Sequence, residues 1–135
     1  MSPTVVSFSD SDMLRNKIIP PGWYVIEIQG FRTWSPSKAG DSDNFFYENI
    51  VEKNADTGDT DMAGVPIEIM FNSKPKAKGF IEGFLRAMGV DVQANARYDL
   101  ESAVGKKLEV FIENDTYNGR IVNKINHKYR QYRGQ

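Results

Sequence analysis

The stretch LEVFIENDTYNGRIVNKINHKYR, residues 108–130, decides the fold. Asn118-Gly119 sits between two runs of alternating character. A two-residue type I′ turn needs positive φ at both central positions, which Asn-Gly supplies. The turn then sets the register. Thr116, Asn114, Ile112, Val110 and Leu108 pair with Ile121, Asn123, Ile125, His127 and Tyr129 on a mostly apolar side. On the other side Tyr117 pairs with Arg120, Glu113 with Lys124, Phe111 with Asn126, Glu109 with Lys128 and Lys107 with Arg130. That side is solvated and yet carries aromatic rings.

Upstream, PPGWYVIEIQGF opens on the breaker Pro20-Pro21-Gly22 and then alternates, which predicts a first strand. Residues 32–43 are dense in turn formers and predict a loop. NFFYENIVEK, residues 44–53, predicts a second strand with aromatics on both faces: Phe45, Tyr47 and Val51 share one, Phe46 and Ile50 the other. VPIEIMFNS predicts a third strand, whose Pro66 lacks an N–H and belongs at an edge or bulge. The period then changes. Phe80, Ile81, Phe84, Leu85 and Met88 recur at helical spacing, and Gly89 suits the left-handed position just past a helix. A short helical turn over 99–104 leads into the hairpin.

Strand, strand, strand, helix, strand, strand is the order of the OB-fold. The sequence therefore predicts a mainly β protein: a five-stranded Greek-key barrel with one helix between strands three and four. Residues 1–19 read as a flexible N-terminal arm and residues 20–135 as a single OB-fold domain, consistent with a 135-residue chain that is 40% hydrophobic.

The chain has no Cys, which removes disulfide frameworks, thiolate metal sites and Cys nucleophiles. No apolar run approaches the roughly 18 residues of a membrane span, and no signal peptide is evident, so a cytoplasmic protein is expected. Net charge is −1, but it is polarised: residues 1–62 hold 10 acids and 5 bases, residues 63–135 hold 8 acids and 12 bases. After Asp115 come five bases and no acid. Such polarity guides a polyanion to one side of a near-neutral molecule.

Catalysis finds little support. The single His127 falls on the apolar side of the hairpin, no Gly-rich phosphate cradle occurs, and the Asp56, Asp59, Asp61 loop lacks EF-hand spacing. No enzyme activity, metal or cofactor is expected. Binding single-stranded nucleic acid asks for a basic groove and aromatic faces on which bases stack. On an OB barrel these belong to strands two and three and to the loops joining strands one to two and four to five. Arg32, Trp34 and Lys38 occupy the first loop, and Tyr117 and Arg120 the second. Strand two offers Phe46 or Tyr47, whichever row points outward, and the hairpin offers Phe111. Lys124 and Lys128 face acids across the predicted ribbon, whereas Arg120, Arg130 and Arg133 have none opposite and are the better phosphate contacts. Trp34 either stacks a base or covers a barrel end.

In PPGWYVIEI, FIEGFLRAMGV and DLESAVGKKLEVFIENDTYNGRIVNKI, the chain resembles small phage-encoded OB-fold proteins of replication and recombination modules, regarded as single-stranded-DNA binders. The resemblance spans roughly residues 20–130 and rests on glycines and core positions. It implies single-stranded DNA as partner in the host cytoplasm, with phage recombination or replication proteins, and further copies of the chain, as additional candidates. The chain departs from many bacterial single-strand binders in ending HKYRQYRGQ, which is basic rather than acidic. The rival expectation is an interaction module of the same fold that binds a replication or host protein and no nucleic acid.

Overall fold

In the computed structural model, residues 7, 9–34, 44–72, 74 and 77–133 are described, the side chains of Ser11 and Trp34 excepted. The elements in chain order are α1 (Asp10–Arg15), β1 (Gly22–Trp34), β2 (Asn44–Asn54), β3 (Pro66–Asn72), α2 (Lys78–Ala87), a 3₁₀ turn (Leu100–Ala103), β4 (Lys107–Tyr117) and β5 (Arg120–Arg130). The strands form one antiparallel sheet in the order β3-β2-β1-β4-β5.

Strand β1 holds the sheet together because it pairs on both sides. Gly22–Glu27 run against Ile112–Lys107, while Tyr24–Trp34 run against Asn54–Asn44 with irregularities at Val25/Ile26 and Ile28/Gly30. Such bulges bend a strand and increase its twist. The sheet accordingly curls until β3 and β5, which point the same way, meet at one end. There the Phe71 ring lies 5.4 Å from His127 and 6.1 Å from Tyr129. Helix α2 covers this end: Phe84 packs on Phe71 at 5.3 Å, Tyr129 at 5.6 Å and Tyr47 at 4.9 Å. Its C-terminus closes as Gly89 predicts, with φ +85° and the Val90 N–H reaching back to the Leu85 carbonyl at 3.0 Å.

The core is the inward row of every strand, including Ile26, Ile28, Val51, Ile67, Ile69, Leu108, Val110 and Ile112. At their other ends β3 and β5 diverge, and the N-terminal segment lies near the opening. Asn123 Oδ1 accepts from the Ile19 N–H at 2.8 Å, Asn114 Nδ2 donates to the Ile19 carbonyl at 2.9 Å, and Ile19 is buried. The expected N-terminal arm also contains an element that reading missed. Ser9 and Asp12 form a capping box that starts α1, a signal hidden by the weak apolar pattern around it.

The hairpin follows prediction from Tyr117–Arg120 to Ile112–Ile125, with Asn118 and Gly119 both at positive φ. Beyond that it does not. Two extra residues of β5 are accommodated at a bulge around His127, φ +54°, so Val110 faces Tyr129 and Glu109 faces Arg130. The pairings Val110–His127, Phe111–Asn126, Glu109–Lys128, Leu108–Tyr129 and Lys107–Arg130 are therefore corrected. A two-residue slip preserves which side chains point inward, so alternation alone could not detect it. His127 stacks on Phe80 at 4.2 Å and shares a 2.8 Å hydrogen bond with the Tyr129 hydroxyl.

Candidate nucleic-acid interface

The β2–β3 register aligns two outward rows. Phe46 stands opposite Met70, Glu48 opposite Glu68 and Ile50 opposite Pro66. Tyr47 points the other way. It is fully buried, its hydroxyl donates to the Leu100 carbonyl at 2.6 Å, and burial raises its pKa. Tyr47 is thus corrected from a stacking candidate to a core residue, and Phe46 carries the outward role.

Arg32, directly across from Phe46 on β1, places its guanidinium 4.0 Å above that ring. Its Nε meets Glu48 Oε1 at 3.1 Å and its Nη2 meets Glu68 Oε2 at 2.7 Å. Met70, 53% exposed, continues the apolar surface. Further along β3, Pro66 and Glu68 form one wall of a groove whose other walls are Arg15, Lys17 and Ile18 of the N-terminal segment and Arg120 and Ile121 of β5. Ile121 is 56% exposed and Tyr117, at the hairpin tip, 68%. Arg120 makes no ion pair among the described residues. The face thus extends from Arg32 and Phe46 along β3 to Arg120, about 13 Å for the four residue steps from Met70 to Pro66. Backbone pairing sets Trp34 opposite Asn44, and Asn44 opposite Asn72, at the far end of the same strands. Lys38 lies outside the described residues.

A second aromatic and basic cluster covers the outer surface of β1, β4 and β5. Trp23 meets Phe111 edge to face at 5.6 Å, Lys128 Nζ lies 5.1 Å over Phe111, and the Arg130 guanidinium lies 4.2 Å over Trp23. Here the cations are already neutralised. Arg130 Nε bonds Glu109 Oε1 at 2.6 Å and its Nη2 bonds Asp56 at 2.8 Å. The Arg133 backbone N–H donates to Glu109 Oε2 at 3.1 Å, and its Nη2 lies 3.3 Å from Glu109 Oε1. Lys128 pairs with Glu113 at 3.1 Å and Lys124 with Asp115 at 3.6 Å. The expectation that Arg130 and Arg133 lack acidic partners is corrected. The bulge brings Glu109 to Arg130, and a loop distant in sequence supplies Asp56. Glu109 is only 2% exposed, and although burial opposes its charge, the bonds from Arg130 and Arg133 hold its pKa below the usual carboxylate range. Asp56 is lowered too, chiefly by its hydrogen bond from Arg130.

Among the described residues no hydrogen bond, ion pair or ring contact joins the two clusters. Of the expected site residues, Arg32 and Phe46 come together, Arg120 lines the groove further along β3, and Tyr117 stands exposed opposite Arg120 at the hairpin tip. Phe111, Lys128, Arg130 and Arg133 form the separate cluster, and Lys124 pairs beside it on the hairpin. Met70, Arg15, Lys17 and Ile121 escaped sequence reasoning because only the β2–β3 register and the docked N-terminal segment bring them in. The chain matches no protein-family model and no curated protein. No described helix is long and apolar enough to cross a membrane.

Proposed function

We propose that the chain is an OB-fold protein that binds single-stranded DNA by base stacking and phosphate contacts, in phage replication or recombination within the host cytoplasm. The sheet order, with β1 paired to both β2 and β4, β3 and β5 pointing the same way and α2 between β3 and β4 in the chain, supports that fold. One observation carries the function: the outward row of Arg32, Phe46 and Met70 continues along β3 into a groove edged by Lys17 and by Arg120, which makes no ion pair among the described residues. Stacking on such a face contributes about 1 to 3 kcal/mol per base. Tyr117 serves as the second stacking ring, and Arg120 and Lys17 meet phosphates. Lys124, Lys128, Arg130 and Arg133 serve the fold, since each already holds a carboxylate.

Those same ion pairs favour the rival reading, an interaction module without nucleic-acid binding. A fluorescence-polarisation titration with a labelled oligonucleotide at low and moderate salt separates the two. Binding that weakens with salt and with Phe46→Ala plus Tyr117→Ala supports the proposal. Absence of binding at low salt overturns it.

A further inference from the structure

Glu48 and Glu68 stand directly opposite each other on the outward face. Like charges so placed destabilise a sheet, and among the described residues Arg32 is the one cation that bridges them. The three side chains together carry one negative charge in the middle of a face read as meeting a polyanion. Phosphates are repelled from such a spot, whereas a neutral base is not. The guanidinium held over Phe46 presents a planar, delocalised surface on which a base can stack. Each carboxylate spends one oxygen on Arg32, Oε1 of Glu48 and Oε2 of Glu68. The second oxygens, Glu48 Oε2 and Glu68 Oε1, have no hydrogen-bond partner among the described residues. Both carboxylates remain open to solvent, the Glu48 side chain 60% and the Glu68 side chain 45% exposed.

A carboxylate only accepts hydrogen bonds. Its complement on an unpaired base is an exocyclic amino group, such as N4 of cytosine or N6 of adenine, while thymine puts the acceptor O4 at that position and its single donor, N3–H, lies between two carbonyl oxygens that a carboxylate repels. We infer that the Arg32, Glu48 and Glu68 platform selects bases bearing an exocyclic amino group over thymine, with Glu48 and Glu68 as the specificity-determining residues. This rests on the single-strand reading above and refines it into a preference of base composition rather than of sequence.

The test compares oligo-dC and oligo-dT of equal length, about 12 nucleotides, by fluorescence polarisation on the full chain and on the Glu48→Gln, Glu68→Gln double variant. Good base-edge pairs discriminate by about 1 to 3 kcal/mol. On this open face the lower end applies, so oligo-dC binds the parent chain about five- to tenfold more tightly. In the variant, oligo-dT binding strengthens as negative charge is removed, and the dC-to-dT ratio falls toward one. A ratio unchanged in the variant overturns the inference, because the cytosine preference would then come from stacking and the carboxylates would act only as charge. Equal binding of both oligonucleotides by the parent chain overturns the inference and leaves the single-strand reading standing. Failure of both to bind at low salt overturns that reading as well.

Discussion

Arg130→Ala and Arg120→Ala, two substitutions of one residue type in the same strand, should have opposite consequences. The Arg130 side chain is 30% exposed and that of its partner Glu109 only 3%, with Nε and Oε1 2.6 Å apart. Removing one member of a buried pair typically costs about 3 to 5 kcal/mol, because a desolvated charge is left alone. Glu109 keeps Arg133, whose backbone N–H and guanidinium both reach it, which reduces the loss to roughly 2 kcal/mol by that scale. Loss of the guanidinium over Trp23 adds about 0.5 to 1 kcal/mol. Together these lower Tm by roughly 6–12 °C for a chain of this size. DNA affinity measured at a temperature where the variant remains folded should stay near that of the parent chain. Arg120→Ala should leave Tm unchanged, weaken oligonucleotide binding several-fold and reduce the salt slope, log K against log salt, by about 0.7. Differential scanning calorimetry and polarisation titrations measure the two properties separately. An Arg130→Ala chain that is fully stable and loses DNA binding would refute the assignment of Arg130 to the fold.

Titration of Glu109 follows from the same contacts. Its folded pKa lies below its unfolded value, so its contribution is present above about pH 4.3 and disappears as pH falls through the folded value. Chemical denaturation between pH 5 and pH 2 should show a steep loss that Arg130→Ala flattens. His127 is held neutral, its pKa lowered by burial and secondarily by Lys124. The unfolded chain therefore takes up a proton before the folded one does, and stability declines as pH falls below about 6.5. NMR titration of this single histidine should give a midpoint under that value. His127→Asn, which tolerates positive φ, should remove the decline. Phe46→Ala and Tyr117→Ala should each weaken oligonucleotide binding by roughly five- to a hundredfold if each ring stacks one base. Far-UV circular dichroism of the Tyr117 variant should be unchanged, since that side chain is exposed.

That Arg32, expected in the first loop, instead lies on β1 over Phe46 is a matter of register. Cross-strand neighbours on β1, β2 and β3 decide its partners, and two loops separate those strands in sequence. The Asp56 contact of Arg130 has the same origin, joining residues that lie 74 apart.

Local chemistry was enough to specify the hairpin tip, the Gly89 helix stop, the 3₁₀ turn near residue 100, the edge position of Pro66 and the order of elements from β1 onward. Each depends on a backbone preference or a period contained within a few residues. Only the tertiary structure decided that Tyr47 faces inward and Phe46 outward, because both rows of β2 are aromatic and the choice depends on what α2 and β3 bring against them. It also decided, through a bulge that leaves in-out alternation intact, which cations are held by acids and which stay open to a polyanion.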